Sequence, residues 1–335
     1  MKYDASLQTG LADSIERVRA LEEIGFDGCF TFEGQTDPFY PLLLAAEHSS
    51  LDLYTNVAIA FPRSPMHLAY QAFDLQRFSN GRFILGLGTQ IRPHIERRYS
   101  AVWGKPVAHM RELISATKAI FDRWQNGTPL EFSGEYYNFN LLPPLFDPGP
   151  LESGVPPIWV GALGPKMTQM VAEVADGILI HPFHTEHFVR SHTIPNVSLG
   201  LDAGGRTLED LSFGIDVMVG VYRTEEEKEV AERGCRMNLG FYGSTPAYRV
   251  TLDAHDWGDL QPKLRTLTKE GRWDELGTLI DDEVMGTIAV LGTPSEVAEK
   301  LHARYGDIAD RLGFSIPYAA PDETIAELLN ELRSR

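Results

Sequence analysis

Along the chain, short apolar runs alternate with segments in which apolar residues recur every three or four positions. The short runs predict strands, and the periodic segments predict amphipathic helices. The clearest helical stripe follows the fourth predicted strand and includes Met110, Leu113, Ile120 and Trp124. Eight strands are predicted, over residues 2–8, 26–32, 57–61, 82–87, 157–160, 177–181, 212–222 and 312–316.

This alternation implies parallel strands joined by right-handed helical crossovers. An open doubly wound sheet would satisfy the pattern, but the count of eight strands favours a closed (β/α)8 barrel. We therefore predict a single α/β barrel domain over 1–335. Two segments interrupt the rhythm and are predicted as insertions. About 127–156 is rich in Gly, Pro and aromatic residues and predicts a hairpin with loops, whereas about 240–283 is predicted to be mostly helical.

Composition narrows the range of partners. The formal charge of −17 argues against nucleic acid and anionic membranes as partners. No apolar run approaches the roughly 20 residues that span a bilayer, and no signal peptide is visible, so a cytoplasmic location is expected. Cys29 and Cys235 are far apart and fit no metal or redox spacing, which predicts reduced thiols.

In a barrel, ligand-binding residues follow the strands. Gly88, Thr89 and Gln90 end the fourth strand, where glycine admits a ligand to the backbone and the two polar side chains can hydrogen-bond it. After the fifth strand comes a turn that predicts either a phosphate site at a helix N-terminus or an ordinary tight turn. Its residues are Gly161, Ala162, Leu163 and Gly164, followed by Pro165 and Lys166.

Three sets of titratable residues are candidates for chemistry. Glu33 directly follows the second predicted strand, so it could exchange protons, hydrogen-bond a cofactor, or simply begin a helix. A basic cluster after the fourth strand suggests either an anionic ligand or a solvated face. It comprises Arg92, His94, Arg97 and Arg98. A histidine cluster at 181–192 fits no familiar metal-ligand spacing, so no metal is predicted; a zinc hydrolase would need stoichiometric metal.

Taken together, these motifs resemble the bacterial-luciferase-like flavin and deazaflavin oxidoreductases. The similarity extends over about 270 residues and rests on these segments: Phe32-Glu33, Asp37-Pro38-Phe39, Pro65, 81–89, 132–137, 157–166, 175–177 and 292–298. Within the family, Gln90 followed by 94–99 is similar to the branch that uses coenzyme F420, an 8-hydroxy-5-deazaflavin. One departure is Glu33-Gly34, where many deazaflavin members have Asp-His.

The resemblance implies a cofactor ring at the C-terminal mouth of the barrel. Its tail phosphate would lie against backbone amides near Gly88-Thr89 and 161–164. The resemblance also implies a bulge in the third strand, often with a cis peptide, that presses on the ring; Ala58-Ile59 is the best match.

The expected activity is hydride transfer between coenzyme F420 and a small organic substrate, with Glu33 or His94 handling the accompanying proton. The alternatives are an FMN-dependent monooxygenase, which uses reduced flavin and oxygen, and an inactive flavin-binding protein. The resemblance also implies a homodimer that pairs through the second and third helices, where Leu42, Leu43 and Leu44 offer apolar surface.

Overall fold

The computed structural model describes residues 1–7 and 9–335. Gln8, predicted as the end of the first strand, lies outside the described residues. In chain order the strands are β1 (Lys2–Ser6), β2 (Gly28–Thr31), β3 (Asp52–Thr55), β4 (Ala58–Ile59), β5 (Phe83–Gly88), β6 (Phe132–Ser133), β7 (Asn138–Phe139), β8 (Ile158–Gly161), β9 (Gly177–Ile180), β10 (Ser212–Val221), β11 (Val290–Gly292) and β12 (Arg311–Ser315).

Eight of these strands close into a parallel barrel in the order β1, β2, β3, β5, β8, β9, β10 and β12. The last strand, β12, closes the barrel by pairing with the first, β1, which places Ala5 opposite Phe314. Two short strands lie outside the ring: β4 pairs with the end of β5, and β11 pairs with the end of β10. The predicted (β/α)8 fold is therefore confirmed.

Helices follow the barrel strands and cover the outside of the sheet. They are α1 (Ser14–Ile24), α2 (Phe39–His48), α3 (Pro65–Phe78), α4 (Arg92–Arg97), α5 (Pro106–Asn126), α6 (Pro165–Val174), α7 (Glu186–Phe188), α8 (Ile194–Gly204), α9 (Glu225–Gly243), α10 (Arg249–Asp253), α11 (Leu260–Lys269), α12 (Asp282–Ile288), α13 (Pro294–Tyr305) and α14 (Asp322–Arg333). A π-helical segment, Val189–Thr193, joins α7 to α8.

Local chemistry sets several helix ends. The Ser64 hydroxyl accepts the Met66 N–H, and Pro65 occupies the first position of α3. Thr293 and Glu296 form a reciprocal capping box at the start of α13. α1 ends at Gly25, whose φ of 105° lies in the left-handed region that glycine adopts without steric cost.

Two longer segments lie outside the alternation of barrel strands and helices. In the first, β6 and β7 form an antiparallel hairpin that docks on α5. The Glu112 carboxylate holds the hairpin by accepting the N–H groups of Glu135, Tyr136 and Tyr137. The second insertion is mostly helical and builds its own apolar cluster, which includes Phe183 beyond β9 and Met218 in β10.

The third predicted strand was placed too late. Residues 57–61 form the longer apolar run, but β3 occupies Asp52–Thr55 and pairs with β2 through all four of its residues. The chain then bulges at Asn56 and Val57 before β4 joins β5. The prediction was wrong because it followed the longer apolar run, whereas pairing with β2 defines the strand.

Inside the barrel, aromatic side chains fill the space between the strands. Phe30, Tyr54 and Trp159 form a compact cluster with Leu179. Trp159 occupies so much of the interior that a Cβ on Gly177 of the neighbouring strand would lie about 2.5 Å from its indole ring. Only glycine fits there, so the size of Trp159 dictates a residue of β9.

Two expectations concern the surface. Leu42 is fully buried and belongs to the core, whereas Leu43 is 43% exposed, so only part of the proposed pairing surface is available on α2. The prediction for Leu42 was wrong because its helical position points inward. Among the described residues, no helix is long and apolar enough to cross a membrane.

Candidate active site

The mouth of the barrel contains a bulge flanked by two glycines. Val57 lies between the ends of β5 and β8: a Cβ on Gly88 would collide with Val57, and one on Gly161 would lie 3.5 Å from it. The peptide bond Asn56–Val57 is cis. The predicted bulge therefore exists, but its cis bond is two residues earlier than Ala58-Ile59, because β3 already ends at Thr55.

Ala58 and Ile59 follow the bulge and form β4. Both side chains are buried, and both residues are paired with β5 at Leu87 and Gly88. Val57 is only half-buried. The Val57 side chain is thus partly accessible, whereas those of Ala58 and Ile59 are not.

Glu33 forms the centre of a hydrogen-bonded network. Its Oε2 accepts the Ile59 N–H at 2.8 Å and Arg63 Nη1 at 2.6 Å. Its Oε1 accepts the Tyr99 hydroxyl at 2.8 Å, and Arg63 also reaches Asp37 at 3.3 Å. Burial and the bond to Glu33 raise the pKa of Tyr99 to about 12, so the phenol stays protonated and keeps donating. The carboxylate ties the β4 backbone to the loops around it.

The two polar residues after β5 bond to their own backbone. Gln90 has a φ of 57°, and its Oε1 accepts the Ile91 N–H at 2.9 Å. The Thr89 hydroxyl donates to the Gln90 carbonyl at 3.0 Å. A ligand would have to replace these bonds in order to use either side chain.

The members of the basic cluster differ in whether their side chains bond to other described residues. Arg92 pairs with Glu96 along α4, and Arg98 donates to the Gly34 carbonyl at 2.7 Å. His94 is exposed on α4, and its imidazole has no hydrogen bond to any of the described residues. Of the two predicted proton carriers, Glu33 is held by three donors and His94 is unrestrained.

The turn after β8 offers fewer free amides than the sequence suggested. The Ala162 N–H donates to Leu179 in the barrel sheet at 3.2 Å, so it is not available to a phosphate. Within the described chain, the N–H groups of Leu163 and Gly164 donate to no other group. Gly164 precedes α6 with φ −78° and ψ 153°, and a Cβ there would meet open space. Lys166 is exposed and forms no ion pair in the described part of the chain.

In the barrel, β9 is the strand next to β8, and aromatic side chains surround His181 at its end. Its imidazole stacks on Tyr248 at 4.6 Å between ring centroids, and Tyr242 meets it edge-on at 4.5 Å. The neighbouring His184 is engaged with the His181 carbonyl and with the Tyr305 hydroxyl. Among residues 1–7 and 9–335, no group of three or more metal-ligating side chains comes together.

One buried carboxyl escaped the sequence analysis. Asp216 lies in the middle of β10, and its Oδ2 accepts the Asn56 side-chain amide at 2.6 Å. Burial raises the pKa of Asp216 to about 7, with a further contribution from Asp4 that the bond from Asn56 opposes. The available signal was a single carboxylate within the apolar run 213–221. The bond links the barrel interior to the residue that precedes Val57.

The protein is a (β/α)8 barrel with a bulged third strand and a glycine-lined mouth. Comparison with known proteins shows the family to which it belongs. The family model described as luciferase-like monooxygenase matches residues 3–311. The chain belongs to this family.

Similar proteins cover nearly the whole chain. An uncharacterized protein of Mycobacterium tuberculosis is 45% identical over 334 residues, which is 99% of this chain and 98% of that protein. A second M. tuberculosis protein, named for a proposed coenzyme F420-dependent oxidoreductase activity, is 26% identical over 305 residues and 85% of each chain. The coenzyme F420-dependent tetrahydromethanopterin reductase of Methanopyrus kandleri has a similar structure, with a TM-score of 0.79, 16% identity and coverage of 99% and 98%.

Proposed function

We propose that this luciferase-like oxidoreductase uses coenzyme F420 to transfer a hydride to or from a small organic substrate at the mouth of the barrel. The observation that carries the proposal is the position of Val57 between Gly88 and Gly161, beside a helix N-terminus whose Leu163 and Gly164 amides donate to no described residue. This arrangement provides an apolar surface for a planar ring and donors for an anionic tail within one region. The relative named for F420-dependent activity supports the choice of deazaflavin.

The residues present fit such a cofactor. Val57 would contact the ring face, and the amides of Leu163 and Gly164 would bind the phosphate, with Lys166 beside them. The open space at Gly164 leaves room for a phosphate to approach the backbone. When bound, a deazaflavin supplies a ring carbon that exchanges hydride with the substrate.

The chain's own residues would position the reactants and manage the proton. Glu33 holds the β4 backbone through the Ile59 N–H, which fixes the surface beneath the ring. His94, exposed and unrestrained, is the better candidate to carry the proton between the reacting substrate and solvent. Glu33 therefore serves as a positioning residue in this proposal.

Equilibrium binding of F420 and FMN to the purified protein tests the choice of cofactor. We expect F420 to bind at least ten-fold more tightly, which corresponds to about 1.4 kcal/mol. Equal affinity, or tighter binding of FMN, would contradict the proposal.

The second candidate is an FMN-dependent monooxygenase, which the description of the family favours. It differs in the reaction of the reduced cofactor with oxygen, because a 5-deazaflavin reacts poorly with oxygen while a reduced flavin reacts readily. Stopped-flow mixing of the reduced complex with oxygenated buffer distinguishes the two. If F420 binds but no alcohol, aldehyde or imine in a screen is turned over, the inactive-binder alternative is favoured.

A further inference from the structure

His181 is oriented into the barrel mouth by the strand that precedes it. Side chains alternate along β9, and Leu179 belongs to the interior cluster, so His181 two residues later faces the same side. The ring is fixed on two sides, by the stack on Tyr248 and the edge contact with Tyr242. Its Nδ1 is fixed as well, since the Phe183 N–H donates to it at 3.1 Å.

These contacts define which nitrogen carries the proton. Nδ1 accepts a hydrogen bond and so carries no hydrogen. Burial, with His184 nearby, lowers the pKa of His181 to about 3, so the ring is neutral at physiological pH. A neutral imidazole has one N–H, which must then be at Nε2. In the described chain, no group accepts a hydrogen bond from Nε2. Nε2 is also not one of the fully buried polar atoms that lack a partner, so it is accessible to a ligand.

The surroundings of this N–H favour an uncharged acceptor. The neutral ring offers a dipole rather than a charge, and Tyr242 and Tyr248 keep their protons because burial raises the pKa of both phenols. Aromatic faces beside a single donor suit a planar group with a carbonyl-type acceptor. Asp216 interacts electrostatically with Tyr242. When Asp216 is ionised, its negative charge therefore disfavours an anionic ligand beside Tyr242.

We propose that His181 is a specificity-determining residue whose Nε2–H donates to a neutral carbonyl acceptor of a planar ligand in the mouth. The imidazole does not transfer protons. This inference rests on the proposed function for the site, and the carbonyl belongs either to the organic substrate or to the cofactor ring.

A pair of small probes tests the donor without knowledge of the substrate. Acetophenone carries a carbonyl acceptor and no donor, and ethylbenzene has nearly the same size but no acceptor. Ligand-observed NMR with the free protein should show about ten-fold tighter binding of acetophenone, the size expected for one hydrogen bond. His181→Phe keeps the aromatic stack and should abolish the preference, whereas His181→Gln, whose amide nitrogen can reach the Nε2 position, should restore most of it.

The same variants identify the source of the carbonyl. If it belongs to the cofactor ring, His181→Phe should weaken binding of F420 and of its phosphate-free ring fragment by the same factor of about ten, and His181→Gln should recover both. His187→Phe is the matched control, because His187 is exposed on α7 and should leave all these affinities unchanged.

Several results would overturn the inference. One is His181→Phe leaving both the acetophenone preference and F420 affinity unchanged. Another is a ¹⁵N NMR titration in which His181 gains a proton between pH 5 and 8, or which shows the hydrogen on Nδ1. The acetophenone comparison and the ¹⁵N titration use the cofactor-free protein, so a failure of F420 binding in the unaltered protein would count against the proposed function without affecting these two measurements.

Discussion

At the scale of single residues, Glu33 shows how burial context changes the role of a side chain. Its position after a strand was evident from the sequence, and an acid-base role was a reasonable interpretation. The partners were not evident, because Ile59, Arg63 and Tyr99 lie 26 to 66 residues away. Three donors hold this one carboxylate in place, which favours a role in positioning the β4 backbone.

Paired variants separate proton transfer from positioning. His94→Ala should lower turnover about a hundred-fold with near-normal F420 affinity, because general acid-base catalysis contributes roughly 10²–10⁴-fold. Glu33→Gln should instead lower the melting temperature and weaken F420 binding, since Arg63 loses its nearest partner and the β4 backbone loses its anchor. Turnover is followed by deazaflavin absorbance with a substrate found by screening.

Stability and F420 affinity provide the control, because His94→Ala should leave both near normal. Glu33→Gln could instead show normal F420 affinity and stability together with a hundred-fold loss of turnover. That result would assign the proton transfer to Glu33.

At the scale of elements, the start of α6 was predicted more accurately than its chemistry. Proline after a short glycine-bounded turn correctly indicated a helix beginning at Pro165. The sequence could not show that the Ala162 amide is used by the sheet, because that bond depends on the register between β8 and β9. Nor could it show that Gly164 has ordinary extended backbone, which any residue tolerates.

The open position of Gly164 permits a clean substitution. Gly164→Val should fold normally, because its φ and ψ suit valine and its Cβ would meet no protein atom within 4 Å. If the neighbouring amides bind the tail phosphate, the branched side chain should weaken intact F420 at least ten-fold, about 1.4 kcal/mol, and leave the ring fragment nearly unaffected. Titration of both ligands measures the difference.

Gly286→Val is the matched control, because a Cβ at exposed Gly286 in α12 also meets open space. It should leave both affinities unchanged. Equal losses for the two ligands in Gly164→Val would place the phosphate elsewhere.

At the scale of the whole molecule, the alternation of strands and helices was sufficient to predict a closed barrel, since eight parallel strands have few other arrangements. Contacts across the barrel were beyond sequence patterns. The bond between Asn56 and Asp216 joins residues 160 positions apart, and only closure brings them together. The contacts of Tyr242 and Tyr248 with His181 likewise depend on how an insertion folds back.

Asp216 should make global stability depend on pH. Its pKa is about 7 in the fold against 3.8 for an ordinary carboxyl, so the unfolded chain ionises first and gains stability as pH rises from about 4 to about 7. The stabilising contribution is thus complete below pH 4 and lost by pH 7. Asp216→Asn retains the acceptor for Asn56 but cannot ionise. Its stability relative to the unaltered protein should therefore increase over this range, by about 2–4 kcal/mol, and then level off.

Urea unfolding of both proteins from pH 4.5 to 8 measures this difference. The charged and titratable neighbours are Asp4, Tyr54 and Tyr242, and all three remain in the variant. A difference in unfolding free energy that stays constant with pH would show that Asp216 is ionised throughout.

The ion pairs at the base of the barrel have a consequence for the order of folding. Arg311 donates to both oxygens of Asp4, which has no exposed surface, and also to Asp52. Within the described chain, the first strand therefore carries a carboxylate whose one cation partner lies 307 residues later in the sequence. Before β12 has been synthesised, Asp4 would have to stay hydrated or protonated. Stable closure of the barrel therefore requires nearly the entire chain. Fragments that end before Arg311 should consequently remain open and be recognised by proteases.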